Sequence, residues 1–115
     1  GVFNDIALIR LKVPIDHASP LYLNLDHNWP QKEEDTLSLT VIGVGDTDPE
    51  PGKKQSPEKL LKTSMTVYPM DECISDYSTY LKIDSEQMIC AHDPISSPCN
   101  GDSGGPLFDE KRRLL

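Results

Sequence analysis

Prolines and glycines interrupt this sequence along its whole length, and they limit the folds that it can adopt. Ten prolines and seven glycines occur among 115 residues. Proline lacks a backbone N–H and is excluded from helix interiors and central strands, so it divides a chain into short segments. The sequence therefore predicts one domain built from many short strands rather than a helical bundle.

Four segments have the patterns of β-strands. Residues 5–13 form a mostly apolar, β-branched run that Pro14 ends, which predicts a largely buried strand. Residues 37–42 alternate so that one face is uniformly apolar and the other is mixed, as a strand with a core side requires. Residues 60–68 and 87–91 also favour strands.

The segments between these strands are polar. Residues 16–35 predict a long surface connection, and the proline-rich residues 46–57 predict a mobile loop. Pro69 is followed by Asp71 and Glu72, and acidic residues in a first turn favour the start of a short helix.

The charge balance argues against two classes of partner. Nineteen acidic and eleven basic side chains give a formal net charge of −8, which repels nucleic-acid backbones. The sequence contains no apolar run near the roughly eighteen residues that would span a bilayer. We therefore expect neither nucleic acid nor a membrane as a partner.

The segment from Cys99 to Leu107 is the one that indicates chemistry. It reads Cys-Asn-Gly-Asp-Ser-Gly-Gly-Pro-Leu, with one serine among three glycines. Glycines allow turns in which a serine hydroxyl is exposed while neighbouring N–H groups converge on one point. Such donors stabilise the oxyanion of acyl transfer. The alternative is a glycine-rich hairpin turn that contains an incidental serine.

A second motif connects this segment with a known family. Asp5 to Leu8 reads Asp-Ile-Ala-Leu, and Gly101 to Pro106 reads Gly-Asp-Ser-Gly-Gly-Pro. In this order and at about this separation, they resemble the catalytic motifs of the chymotrypsin and trypsin family of serine proteases. Between them, Val41 to Gly45 (Val-Ile-Gly-Val-Gly) and Met88 to Ala91 (Met-Ile-Cys-Ala) are similar to further family segments. The resemblance covers nearly the whole chain.

The resemblance implies an all-β fold of two antiparallel β-barrels with the active site between them. We expect this chain to be a fragment of that fold, lacking the N-terminal part and the C-terminal end. Residues 1–13 would end the first barrel, residues 14–36 would connect the barrels, and residues 37–115 would form an incomplete second barrel.

The same resemblance assigns roles to individual residues. Ser103 would be the nucleophile, and Asp5 would be the buried acid that orients the catalytic histidine. The N–H groups of Gly101 and Ser103 would form the oxyanion hole. Asp102 would pair with the new N-terminal amine that zymogen cleavage creates.

The catalytic histidine is expected to precede Asp5, because the family's chain order is His, Asp, Ser. His17, His27 and His92 all follow Asp5, and each is expected to be an ordinary loop histidine. Without the base we predict no meaningful peptidase activity for these 115 residues, since removing it costs a factor of roughly 10⁶ in turnover.

Three cysteines make an odd count, which implies a free thiol or a missing partner. The resemblance pairs Cys73 with Cys90 and gives Cys99 a partner beyond Leu115. Cys90, His92 and Cys99 are close in sequence, but their spacing lacks the paired ligands of structural zinc sites. We expect no metal and no cofactor, and the resemblance together with the paired cysteines predicts a secreted protein.

The resemblance places Ser97 and Asn100 in the pocket that sets cleavage specificity. Trypsin-like members have aspartate at the position of Ser97, whereas serine resembles the chymotrypsin-like arrangement, so cleavage after Lys or Arg is not supported. A compensating acid on the far wall of the pocket is the alternative, and it leaves the specificity open. The expected function is that of a serine endopeptidase acting on proteins or peptides through an acyl-enzyme at Ser103, with protein inhibitors as possible further partners. The alternative is a non-catalytic homologue that binds or inhibits a partner, and a histidine upstream of Asp5 would distinguish the two.

Overall fold

A six-stranded, mostly antiparallel β-sheet forms the body of the chain. The computed structural model describes residues 5–29, 37–48, 50 and 52–115. The strands are β1 (Tyr22–Leu23), β2 (Ser38–Gly43), β3 (Leu61–Val67), β4 (Ala91–His92), β5 (Leu107–Asp109) and β6 (Arg113–Leu114), and α1 spans Met70–Tyr77. Their order in the sheet is β1–β6–β5–β2–β3–β4. The predicted all-β class is confirmed. No helix in the described ranges is long and apolar enough to cross a membrane.

The core lies on one face of the two longest strands. In the β2–β3 register Leu39 is opposite Met65, and Val67 continues the same face two residues later. Leu39 is 0% exposed, Met65 is 7% exposed and Val67 is 5% exposed. Because side chains alternate between the faces of a strand, the intervening polar residues point away from this cluster. The strands predicted at residues 37–42 and 60–68 are therefore present, and the apolar face of each one builds the core.

A helix and a disulfide follow β3. Helix α1 begins after Pro69 and has acidic residues in its first turn, as the sequence predicts. Its one buried residue, Cys73, is bonded to Cys90, the residue that precedes β4. The structure thus contains the disulfide that the family resemblance implied. Cross-linking a loop of this length stabilises the fold by about 3 kcal/mol in the chain-entropy estimate.

A hairpin at the end of the chain was not predicted from the sequence. Strands β5 and β6 are joined by a tight turn in which Arg112 adopts φ 63°. Asp109 is buried and accepts hydrogen bonds from the backbone N–H of Arg113 at 2.8 Å and from its Nε at 2.6 Å. These bonds fix the turn, because they satisfy a carboxylate that burial would otherwise penalise.

Part of the predicted surface connection belongs to the sheet. Strand β1 pairs in parallel with β6, and Arg112 donates hydrogen bonds to the carbonyl oxygens of Ser19 and Pro20, each at 2.8 Å. Residues 30–36, also assigned to this connection, lie outside the described residues. The described part of the predicted loop at residues 46–57 contains no helix or strand.

The predicted strand at residues 5–13 is not formed. Residues 5–13 pair with no strand, and all of them are exposed. Ile6, Leu8 and Ile9 have exposed fractions of 84%, 97% and 85%. A strand requires a hydrogen-bonding neighbour, and the described residues supply none to this segment. Residues 1–4 lie outside the described residues.

Candidate active site

Ser103 lies on an exposed turn between β4 and β5. Gly101 and Gly104, two residues before it and one after it, adopt φ of 99° and 82°. This left-handed region strains residues that have a Cβ, whereas glycine enters it freely. The glycines therefore allow a turn that leaves the Ser103 side chain open to solvent.

The side chain of Asp102 anchors this turn to the end of β2. One carboxylate oxygen accepts a hydrogen bond from the N–H of Gly45 at 2.7 Å, and the other accepts one from the N–H of Cys99 at 2.9 Å. The carboxylate occupies the space that a Cβ at Gly43 or Gly45 would fill. The two glycines at the end of β2 thus create the place in which Asp102 is held.

Backbone hydrogen bonds reinforce the same contact. The N–H of Asp46 donates to the carbonyl oxygen of Asn100 at 2.8 Å, and the N–H of Gly105 donates to that of Asp102 at 2.9 Å. A Cβ on Gly101 would lie 3.3 Å from the Cα of Gly45, so the two segments approach each other closely. The position of the serine turn is consequently fixed by the central strand of the sheet.

A concavity of about 700 Å³ opens beside Ser103. Several predicted site residues line it together, namely Ser97, Asn100, Asp102 and Ser103. Asp102 is the single charged residue among the described residues that line it. Its carboxylate oxygens are held in place by the backbone N–H groups of Gly45 and Cys99.

The structure does not bring Asp5 to this concavity. Asp5 is exposed at the start of residues 5–13 and is not among the residues that line the cavity. The histidines are engaged elsewhere or exposed: His17 contacts Asp16, and the ring of His92 lies 4.9 Å from that of Tyr68. Neither they nor His27 lines the cavity beside Ser103.

Comparison with known proteins identifies the family. The family model described as Trypsin matches residues 2–115. The chain belongs to the trypsin family. It is 37% identical over 96% of its length to phenoloxidase-activating factor 3 of Holotrichia diomphalia, of which it covers 30%. It is 32% identical over 95% of its length to trypsin epsilon of Drosophila erecta, of which it covers 41%.

A third relative gives a similar result. The chain is 33% identical over 91% of its length to the Spaetzle-processing enzyme of Drosophila melanogaster, of which it covers 26%. The trypsin-family chain described here therefore spans less than half the length of each of these three relatives.

One feature of this trypsin-family site was missed by the sequence analysis. Gly43 and Gly45 were noted only as part of a segment similar to the family, although their missing Cβ atoms make room for the Asp102 carboxylate. Two glycines separated by one residue near a strand end indicate that another segment approaches the backbone closely there. The sequence therefore contained a pattern from which this contact could have been predicted. Cys99 is a free, exposed thiol in the structure.

Proposed function

We propose that this chain is part of a serine endopeptidase in which Ser103 is the nucleophile. The observation that carries the proposal is the exposed Ser103 hydroxyl on a glycine turn anchored through Asp102 to the central strand. In this mechanism Ser103 Oγ attacks a peptide carbonyl carbon while a histidine from a segment preceding Asp5 takes its proton. The histidine then gives the proton to the leaving amine, and water hydrolyses the acyl-enzyme by the same steps in reverse order.

The backbone of the serine turn supplies the proposed oxyanion hole. The N–H groups of Gly101 and Ser103 donate no hydrogen bond to another described residue. They are therefore available to a substrate carbonyl oxygen. Negative charge develops on that oxygen in the tetrahedral state, and one well-placed donor lowers the barrier by about 3–4 kcal/mol.

Asp102 has the proposed second role of coupling activation to the oxyanion hole. It lies between Gly101 and Ser103, so a change in the backbone of Asp102 would move both donors. Each of its oxygens accepts one backbone hydrogen bond, and a carboxylate oxygen has capacity for another. A newly formed N-terminal amine could therefore add an ion pair without breaking either bond.

Asp5 is proposed to orient the histidine once the first barrel is in place. In this proposal residues 1–13 end the first barrel, residues 14–36 connect the barrels and residues 37–115 belong to the second. The exposed apolar side chains of Ile6, Leu8 and Ile9 support this assignment, because a strand of a barrel packs apolar side chains against its neighbours.

The proposed substrates are proteins or peptides with an uncharged residue before the cleaved bond. Ser97 lines the concavity beside Ser103. Among the described residues that line it, Asp102 is the one acidic side chain that could pair with a Lys or Arg of a substrate, and its carboxylate is already anchored by backbone N–H groups. The relative named Spaetzle-processing enzyme gives a precedent for a protein substrate. The Cys73–Cys90 disulfide favours a secreted protein, since disulfides persist in oxidising compartments.

Peptide hydrolysis by the full-length protein tests the proposal. We expect turnover of substrates with an apolar residue before the scissile bond, weaker turnover with Arg there, and a loss of about 10⁶-fold in Ser103→Ala. Ser85→Ala, which changes an exposed serine outside the concavity, is the matched control and should retain activity. Correctly folded protein without turnover would instead favour a non-catalytic homologue that binds a partner.

A further inference from the structure

Asn100 is followed by Gly101 on the exposed turn that carries Ser103. Both residues are exposed. The described chain has two other asparagines, Asn24 and Asn28, which are followed by a leucine and a tryptophan. An asparagine side chain is chemically labile, and its intramolecular reaction is least hindered where the next residue has no Cβ.

We propose that Asn100 is a site of spontaneous deamidation in the folded chain, with water as the co-reactant. The Gly101 nitrogen loses its proton to solvent base and bonds to Cγ of Asn100. The Cγ–Nδ2 bond breaks, and Nδ2 takes up one proton from solvent and leaves as ammonia. Water then adds across one of the two C–N bonds of the succinimide, giving aspartate or isoaspartate at position 100 without any change of oxidation state.

The local structure favours the first step. The Gly101 N–H makes no recorded hydrogen bond to another described residue, so its proton can be removed without breaking one. The Asn100 side chain is exposed and makes no recorded side-chain hydrogen bond among these residues, whereas Oδ1 of Asn24 accepts one from the N–H of Asp26. One contact opposes the reaction. The N–H of Asp46 donates a hydrogen bond to the carbonyl oxygen of Asn100, and this bond restrains the turn.

The reaction would act on the site itself, and this consequence rests on the proposed function. In the succinimide the Gly101 nitrogen is bonded to two carbonyl carbons and carries no proton, so one oxyanion donor is lost. Isoaspartate inserts an extra methylene into the backbone three residues before Ser103. Either product also places a second carboxylate beside Asp102, in a concavity whose described lining otherwise has no other charge.

Peptide mapping by mass spectrometry after incubation of the chain in neutral buffer tests the modification. We expect conversion at Asn100 to exceed that at Asn24 and Asn28 by about tenfold or more, because glycine offers no Cβ against ring closure. The rate should rise with pH, since the attacking nitrogen must be deprotonated. Asn100→Gln, which forms the larger ring far more slowly, is the matched control and should show no conversion at this position.

Three outcomes would overturn the proposal. They are an intact Asn100 after the other asparagines have reacted, equal rates at all three sites, or conversion that occurs in urea but not in native buffer. None of these depends on peptidase activity, so the proposed function is tested separately. In the full-length enzyme, the fraction that carries the succinimide is expected to lose about 10²–10³-fold in turnover, because its Gly101 nitrogen has no proton to donate. A succinimide fraction with full turnover would contradict the oxyanion-hole consequence.

Discussion

At the scale of single residues, the contact between Asp102 and two glycines, Gly43 at the end of β2 and Gly45 just after it, decides where Ser103 lies. Gly45→Ala would place a methyl group against the Asp102 carboxylate. We expect it to lower the free energy of unfolding by about 1–3 kcal/mol, as overpacking of a tight site does. Urea denaturation monitored by circular dichroism gives this value.

A double-mutant cycle separates this contact from a general effect of alanine at position 45. Asp102→Ala removes the carboxylate and should relieve the clash. The double variant Gly45→Ala/Asp102→Ala should therefore be more stable than the sum of the single effects predicts, by about 0.5–3 kcal/mol. Strict additivity would mean that the two residues do not interact.

The Asp109 carboxylate gives a prediction about pH. Burial works against ionisation, but the hydrogen bonds from the backbone N–H and the guanidinium of Arg113 outweigh it and hold the pKa of Asp109 below its ordinary value of 3.8. Because the pKa of Asp109 is lower in the folded chain than in the unfolded chain, the ionised carboxylate stabilises the fold. This stabilisation is complete at pH values above the ordinary pKa, and it is lost as the pH falls through the pKa of the folded state.

Asp109→Asn removes that contribution. We expect the free energy of unfolding at neutral pH to fall by about 1.5–3 kcal/mol, the worth of hydrogen bonds to a charged group. Between about pH 5 and pH 2 the variant should lose less stability than the unchanged chain. Parallel stability curves for the two proteins over this range would show that Asp109 does not titrate as described.

At the scale of elements, the predictions that succeeded rest on local pattern. Alternation at residues 37–42 identified β2, and the acids after Pro69 identified α1. The failures depend on distant partners: β1 exists because β6 lies beside it, and residues 5–13 lack any such neighbour among the described residues. The glycines in the sequence predicted the serine turn. The anchoring of that turn through Asp102 could not be predicted, because it depends on β2 ending beside the turn in the folded chain.

The contrast between β2 and residues 5–13 is testable with one kind of substitution. Leu39→Ala removes a side chain that is 0% exposed and should cost about 2–5 kcal/mol of unfolding free energy. Leu8→Ala removes one that is 97% exposed, and we expect a change within about 0.5 kcal/mol. Thermal unfolding of both variants compares them directly. A large loss in Leu8→Ala would show that residues 5–13 are packed in solution.

At the scale of the whole molecule, this trypsin-family chain contains only one part of the proposed catalytic site. The serine turn, its anchor and the adjoining concavity are in place, whereas Asp5 lies outside them. The chain covers less than half of the three relatives compared. Catalysis in the proposed function therefore depends on the longer protein, in which a histidine and Asp5 would meet Ser103.

Labelling of the full-length protein with a fluorophosphonate tests the central claim most directly. This reagent forms a covalent bond to a serine oxygen only where a base and an oxyanion hole activate it. The account predicts one adduct, located by peptide mapping on Ser103 and absent from Ser103→Ala. Folded protein that stays unlabelled, or that is labelled at another serine, would contradict it.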